Sequence, residues 1–322
     1  MDALHLIKRY VWRGRSIAKT LAGVNYHRYP QVVGKGLVPN ALEGYFNDLT
    51  LKTLWTGPVD DDGIIMLTAD SSTQFYFPIS VFQKGLGHWD RWLLGGKRTE
   101  AEREKFLAHA DWAVRHQQAN GGWICWREIQ RDTASEYSAM AQGQGISLLA
   151  RAYSVSGDDR YARAAEQAYL MLADVDSAVA VSRSADGGVV LEEYPGSSLP
   201  GVLNGWLFAI WGVNDYAILT GTSDARAFLH TCLASIAKKL PLYDAKFWSY
   251  YDQAAHFASP FYHSLHVHQL DAFTCSFPEF GMVFGQYRDV FREQQNHILN
   301  RARAIMVKFR ERVFDTHSGE IV

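Results

Sequence analysis

The chain has few cysteines and lacks several common catalytic motifs. Its three cysteines, Cys125, Cys232 and Cys275, are far apart and odd in number, so they suggest neither a disulfide framework nor a zinc pattern. We expect reduced, buried thiols. The phosphate-binding loop GxxxxGK[ST], a strand-borne GxGxxG and the GxSxG elbow are also missing. These absences argue against P-loop, dinucleotide-binding and serine-hydrolase architectures.

No sign of charge dominates, and no long apolar run is present. The chain has 32 Lys and Arg against 34 Asp and Glu, whereas nucleic-acid binding needs a basic surplus. No stretch approaches the roughly 20 apolar residues of a membrane span, and the basic N-terminus lacks the apolar core of a signal peptide. We therefore expect no nucleic-acid partner, no transmembrane segment and a cytoplasmic location, or a peripheral one at a membrane surface.

The residues that are present favour helices over most of the chain. Residues 1–70 contain several prolines and glycines and the turn Asp60-Asp61-Asp62-Gly63, which predicts an N-terminal extension of loops and short strands. Apolar spacing becomes helical from about residue 78, and residues 71–322 are predicted to form the main domain. Its first two helices cover VFQKGLGHWDRWL and EREKFLAHADWAVRHQQ, the second of which stops at Asn120-Gly121-Gly122.

Two later segments share a layout of helix, polar turn and helix. The turn is Gly157-Asp158-Asp159 in the first segment and Gly221-Thr222-Ser223-Asp224 in the second. Two more helices are predicted over HSLHVHQLDAFTC and DVFREQQNHILNRARAIMVKF. Consecutive antiparallel helix pairs close most economically into an α/α toroid, so the predicted fold is mainly α, with an open solenoid as the alternative.

A β-hairpin is predicted at the rim of the toroid. In AVAVSRSADGGVVLEEYP, β-branched runs flank the turn Ala185-Asp186-Gly187-Gly188. Strand alternation sends Glu192 and Glu193 to opposite faces, and Pro195 ends the ladder. One carboxylate and the phenol of Tyr194 can then face a cavity. A solvated strand end is the alternative.

Phenols and imidazoles cluster further along the chain. One group is Tyr250-Tyr251-Asp252, and another is Pro260-Phe261-Tyr262-His263, followed by His266 and His268. On a helix, His263 and His266 share a face. Zinc is the rival hypothesis for these histidines, but no HExxH-type carboxylate accompanies them, so no metal is predicted.

Gln142 and Gln144 lie in the glycine-interrupted AQGQG. Its glycines let a ligand or another backbone approach closely.

Phenols, imidazoles, amides and one or two carboxylates suit proton transfer at carbon better than phosphoryl or hydride transfer. The sequence therefore indicates an enzyme that needs no cofactor.

Six segments occur in a characteristic order over roughly residues 75–275: FYFPISVFQKGLGHW, YSAMAQGQGISLLARAY, EEYP, VLNGW, LPLYD and YHSLHVHQL. The ordered set resembles the C-terminal catalytic domain of the D-glucuronyl C5-epimerases of heparan sulfate biosynthesis. The resemblance implies an α/α-barrel. Animal members insert a β-rich domain after the FYFPI-like segment. Here Trp92 leads through Gly95-Gly96 almost directly into the next helix, so a short form is expected.

The resemblance also implies roles for individual residues. The acid and tyrosine of the family's EEYP motif fall on Glu193 and Tyr194, and the tyrosines of its YDLRH and DYHTTHINQL motifs fall on Tyr251 and Tyr262. These residues are the predicted catalytic groups. The predicted substrate-binding residues are Asn204, His263, His266, Gln142, Gln144 and Tyr76.

One departure from the family pattern concerns charge. The YDLRH arginine has no counterpart, because Tyr251 is followed by Asp252-Gln253-Ala254-Ala255-His256. That arginine would be expected to contact an anionic group of the substrate. The identity of the substrate is therefore less constrained than the type of reaction.

The implied reaction inverts D-glucuronate to L-iduronate within a heparosan-like polymer. A proton leaves C5 and another returns to the opposite face of the ring, with tyrosines on the two sides. A β-eliminating polysaccharide lyase, a toroidal glycoside hydrolase and a non-catalytic carbohydrate-binding toroid are the alternatives. The expected partner is an anionic polysaccharide, and a homodimer is one possible assembly. Calcium binding belongs to the missing β-domain and is not expected.

Overall fold

The computed structural model describes residues 28–69, 73–96, 99–129, 133–196 and 200–314. The basic N-terminus, for which a peripheral membrane location is predicted, lies outside these residues. The described ranges contain nine α-helices, which are α1 Pro78–Leu94, α2 Glu100–His116, α3 Ala139–Ser156, α4 Asp159–Ala173, α5 Leu203–Thr220, α6 Ser223–Lys239, α7 Pro260–Ser276, α8 Gly281–Asn296 and α9 Ile298–Phe314. Short 3-10 helices cover Thr50–Leu54 and Leu240–Tyr243.

The first eight helices form four hairpins, in which α1 packs on α2, α3 on α4, α5 on α6 and α7 on α8. The first helices of the pairs also pack on one another in the order α1, α3, α5, α7. Nearly all of α3 and α5 is buried, whereas α6 buries only one side. Inner helices surrounded by outer ones are the arrangement of an α/α toroid, and the predicted fold class is confirmed.

Glycines end α3 and α5 and create the polar turns of these hairpins. Gly157 and Gly221 adopt left-handed φ values of 69° and 66°, and each donates its N–H to a carbonyl of the preceding turn. A residue with a side chain pays a steric penalty at such a φ, so glycine is favoured there. Asp158 then accepts the Arg160 N–H at 2.9 Å and caps α4. Both predicted turns are confirmed.

The glycines of AQGQG allow two inner helices to touch. A Cβ atom added at Gly143 would lie 2.5 Å from Ala209 Cα, and one at Gly212 would lie 2.3 Å from Gly143 Cα. The backbones of α3 and α5 therefore meet without side chains between them. The sequence predicted that these glycines admit either a ligand or another backbone, and at Gly143 the neighbour is the backbone of α5.

Two short antiparallel strand pairs accompany the helices. Strand β1, Leu67–Ala69, pairs with β2, Thr73–Phe75, and β3, Ser182–Ala185, pairs with β4, Gly188–Leu191. Asp186 and Gly187, between β3 and β4, have positive φ values of 51° and 77°. Two such residues make the type I′ turn that suits the twist of a hairpin. The predicted hairpin is confirmed.

Residues 28–69 pack into the same hydrophobic core as the helices. Phe46 stacks on Trp211 of α5 with ring centroids 4.3 Å apart, and the Glu43 carbonyl accepts the Arg151 Nε–H at 3.1 Å. Arg151 and Asp215, 2.6 Å apart, form a fully buried ion pair beneath this segment. The N-terminal segment is thus fastened across α3 and α5.

Two local predictions are wrong. The segment predicted as one helix from Asp289 is divided between α8 and α9, because His297 has an extended backbone with ψ of 114°. Long-range contacts orient the two parts separately: Gln294 donates to Asp244 at 2.8 Å and Lys308 donates to the Phe257 carbonyl at 2.9 Å. All three cysteines are free, but Cys275 is exposed rather than buried.

No helix among the described residues is long and apolar enough to span a membrane.

Candidate active site

A cleft lies where the inner helices meet the hairpin and residues 28–69. Its volume is about 560 Å³, including the part that is open to solvent. All four inner helices line it, through residues such as Ile79, Met140, Phe208 and Leu265. Its polar lining consists of Gln31, Lys52, Ser80, Gln83, Glu193, Tyr194, Asn204 and Tyr262.

Hydrogen bonds hold the chain after β4 in place. The Glu192 carbonyl accepts the Ala139 N–H at 2.9 Å, and the Pro195 carbonyl accepts the Ala134 N–H at 2.7 Å. The Glu192 side chain pairs with Arg183 at 3.0 Å and accepts the Gly201 N–H at 3.0 Å. Glu192 and Glu193 are both buried, which excludes a solvated strand end.

The Glu193 carboxylate lies against the first turn of α5. A Cβ atom added at Gly205 would be 2.3 Å from Glu193 Oε2, so the missing side chain of Gly205 provides the space for this carboxylate. The N-terminal turn of a helix carries positive partial charge, which stabilises an anion beside it. The negative charge of Glu193 in turn contributes to raised pKa values of Cys125 and Tyr251, after the larger effect of burial.

Tyr194 and Tyr262 reach the cleft from different elements. Tyr194 follows the hairpin and packs on Trp126 with ring centroids 4.7 Å apart. Tyr262 lies in the first turn of α7, where its N–H donates to Ser259 Oγ at 3.4 Å. Both rings line the cleft. The two phenols are therefore held there by different elements, one by the chain after the hairpin and the other by α7.

Tyr251 lies behind the lining. Its side chain is only 1% exposed, its ring centroid is 4.9 Å from that of Tyr262, and its carbonyl accepts the Leu203 N–H at 3.0 Å. Burial raises the pKa of Tyr251 well above its ordinary value, and the nearby Glu193, Tyr194 and Tyr262 raise it further. Tyr251 is therefore a neutral phenol in contact with the groups that line the cleft.

His263 and His266 of α7 are fully buried and do not line the cleft. The His263 ring stacks on that of Trp248 with ring centroids 3.7 Å apart. Its Nδ1 accepts the Ser249 N–H at 3.0 Å, and its Nε2–H donates to the Phe291 carbonyl at 2.9 Å. Burial lowers the pKa of His263 to about 4. Ser249 Oγ also lies 2.9 Å from His266 Nδ1. Both rings thus join α7 to the segment before it.

Three other residues assigned to substrate binding also lie away from the cleft lining. The Gln142 amide donates to the Gly121 carbonyl at 3.0 Å and accepts the Trp123 N–H at 3.3 Å. Gln144 is fully buried in α3. Tyr76 donates to Asp60 at 2.7 Å and lines a separate groove, beside Trp112 and His116. Asn204 does line the cleft, and its buried side-chain oxygen has no hydrogen-bond partner among the residues that the structure describes.

Sequence reasoning missed four other polar residues that line the cleft. Ser80 and Gln83 are one helical turn apart in the otherwise apolar start of α1, a spacing that puts both on one face. That spacing was a usable signal. Lys52 and Gln31 come from the irregular N-terminal segment, where no periodicity marks an inward-facing side chain.

The fold and the cleft together define a helical toroid whose cleft carries two phenols and a carboxylate. Comparison with known proteins adds a family. The D-glucuronyl C5-epimerase C-terminus family matches residues 119–293, more than half of the chain. The chain belongs to this family.

Two curated relatives agree over part of their length. The D-glucuronyl C5-epimerase of Caenorhabditis elegans is 30% identical over 201 residues, which is 54% of this chain and 32% of that protein. An uncharacterized protein of Methanocaldococcus jannaschii is 33% identical over 144 residues, 41% of this chain and 44% of that protein. The chain therefore spans less than half the length of these relatives.

One solved structure with a similar helical arrangement is the unsaturated glucuronyl hydrolase of Bacillus sp. GL1. It has a TM-score of 0.45 and 14% identity over 70% of this chain and 61% of that one. A likeness at that level says nothing about the reaction.

Proposed function

We propose that this protein is a uronate C5-epimerase that converts D-glucuronate to L-iduronate within a heparosan-like polymer. The observation that carries the proposal is the meeting of Glu193, Tyr194 and Tyr262 in one cleft, with Tyr251 behind them. Family membership supports the same chemistry. On this proposal the partner is an anionic polysaccharide, and the protein is an isomerase without a cofactor.

The reaction needs a base on one face of the sugar and an acid on the other. The carboxylate of the uronate makes the C5 hydrogen removable, because the electron pair left at C5 can move onto the carboxylate oxygens. One phenolate, that of Tyr194 or Tyr262, takes the proton and becomes a phenol. The other phenol then gives its proton to C5 from the opposite face and becomes a phenolate. The atoms and charges balance, and the protonation states of the two tyrosines are exchanged.

The intermediate carries extra negative charge on its carboxylate and needs fixed donors. Preorganised donors of this kind contribute several kcal/mol in comparable sites. Asn204 and Gln83 offer amide N–H groups at the cleft. Glu193, held at the α5 turn, is positioned to accept a proton or a hydrogen bond from the phenols beside it.

The test is incubation with heparosan in deuterated water, followed by NMR of the polymer. We expect deuterium at C5 and the appearance of iduronate signals. An unsaturated product that absorbs in the ultraviolet would instead identify a lyase, and shortened chains with new reducing ends would identify a hydrolase. Binding of the polymer without deuterium incorporation would overturn the proposal in favour of a carbohydrate-binding toroid.

The predicted cytoplasmic or membrane-peripheral location and the homodimer stay predictions. Fractionation of cells and sedimentation of the purified protein would test them.

A further inference from the structure

Lys52 is a buried lysine in the wall of the cleft. It lies in the 3-10 helix Thr50–Leu54, its residue is only 2% exposed, and it lines the cleft together with Glu193, Tyr194 and Tyr262. Of the described residues that line the cleft, Lys52 is the one with a basic side chain.

The backbone that carries Lys52 is tightly held. A Cβ atom added at Gly87 of α1 would lie 2.4 Å from the Leu49 carbonyl oxygen, so the 3-10 helix rests directly on α1. Asp48 accepts the Thr50 N–H at 2.9 Å, and the Leu49 carbonyl accepts the Lys52 N–H at 2.8 Å. Leu49 is fully buried in the core. The position of Lys52 is therefore set by the fold before any ligand arrives.

Burial makes the charged form of this lysine costly. It lowers the pKa of Lys52 to about 7. An anion that enters the cleft would offset this cost, because the charged form of a buried lysine is favoured by an opposite charge within a few ångströms. A uronate polymer brings such an anion, in the form of a carboxylate on the sugar that is to react.

We infer that Lys52 binds the carboxylate of the target uronate and serves as the cation of the site. This inference rests on the proposed function. It also accounts for the missing arginine after Tyr251, because a cation from the N-terminal segment occupies the cleft instead. A lysine here stabilises the negative charge that develops on the carboxylate when the C5 proton leaves. Its stabilising effect is therefore larger on the intermediate than on the bound substrate.

The experiment compares binding of two polymers, heparosan and heparosan whose carboxyl groups have been reduced to alcohols. The variants are Lys52→Met and Lys52→Arg, and Lys35→Met is the matched control, because Lys35 is a largely exposed lysine of the same segment. We expect Lys52→Met to weaken heparosan binding by about tenfold or more and to leave the affinity for the reduced polymer within about threefold. Lys52→Arg should recover part of the selectivity, and Lys35→Met should change neither affinity.

Equal losses for both polymers in Lys52→Met, or no loss for either, would overturn the inference. Thermal unfolding shows whether Lys52→Met folds. If it does not, Lys52→Arg is compared with wild type on the same two polymers, since arginine retains the positive charge. In turnover of heparosan, Lys52→Met should lower kcat as well as raise KM, because the lysine also stabilises the negative charge that develops on the carboxylate as the C5 proton leaves. If wild type selects the carboxylated polymer but does not epimerise it, the proposed reaction fails while the carboxylate site stands. If epimerisation occurs without a role for Lys52, only this inference fails.

Discussion

The carboxylate of Glu193 occupies the space that a side chain at residue 205 would fill. Only 2.3 Å would separate Glu193 Oε2 from a Cβ atom on Gly205, and only 2.8 Å would separate the two Cβ atoms. Glu193 follows the hairpin and Gly205 lies in α5, so this one close approach joins the hairpin to the inner ring of helices. The position of the carboxylate beside the phenols depends on it.

Gly205→Ala should therefore impair catalysis without unfolding the protein. The added methyl group must displace Glu193, while alanine improves helix propensity by about 1 kcal/mol over glycine. We expect kcat to fall by about tenfold or more, since a displaced acid/base partner loses much of its effect. Steady-state rates by NMR and thermal unfolding measure the two effects.

Gly285→Ala is the control for that experiment. A Cβ atom at Gly285 in α8 would have its nearest neighbour at 3.5 Å, an ordinary contact. It should preserve the rate. A Gly205→Ala protein as active as this control would show that the position of Glu193 is unimportant for the reaction.

Tyr194→Phe and Tyr262→Phe should each abolish net epimerisation and keep polymer binding within about threefold. Phenylalanine preserves the ring contacts, such as that of Tyr194 with Trp126, and removes the ionisable hydroxyl. The stability cost should be about 1 kcal/mol if that hydroxyl holds a buried hydrogen bond. Deuterium exchange at C5 without inversion, in glucuronate or in iduronate, would reveal which face each tyrosine serves.

Tyr250→Phe provides the comparison for those variants, because Tyr250 packs on Phe257 and does not line the cleft. Its activity should match wild type. Near-normal inversion by both Tyr194→Phe and Tyr262→Phe would reduce these tyrosines to packing residues.

His263 should make folding stability depend on pH. Its folded-state pKa of about 4 lies below the unfolded value of about 6.5, so the unfolded chain binds more protons between these values. Its contribution is complete above the unfolded pKa and is lost as the pH falls towards the folded pKa. Urea unfolding between about pH 5 and about pH 7.5 should show stability that rises with pH.

His263→Gln should flatten that slope and lower stability near neutral pH. The variant would leave the Ser249 N–H or the Phe291 carbonyl poorly paired, at a cost of about 1–3 kcal/mol. Polymer affinity of the folded variant should stay close to wild type. A selective loss of affinity with unchanged stability would return His263 to a binding role.

Activity should survive exhaustive treatment with EDTA. Among the residues that the structure describes, no three His, Cys, Asp or Glu side chains are grouped to hold a metal ion. EDTA already saturated with calcium serves as the control for nonspecific effects. Loss of turnover that zinc or calcium restores would contradict the proton-transfer mechanism without a metal.

Local sequence patterns determined most of the elements of this protein. The spacing of apolar residues marked the helices, Gly157 and Gly221 marked the hairpin turns, and Asp186-Gly187 marked the β-turn. These features could be predicted because each depends on residues within one or two turns of the chain. The residues around Glu193 and Tyr262 were recognisable as a set through their order along the chain.

Only the tertiary structure decided which polar side chains meet in the cleft. Gln142 and His263 sit in segments that suggested substrate binding, yet their hydrogen bonds go to backbone groups far away in the sequence. Lys52 reaches the cleft from a segment more than a hundred residues before Glu193. Contacts over such separations depend on how helices pack, as at Gly87 and Gly205, and the local pattern of apolar and polar residues does not encode which neighbour a side chain will find.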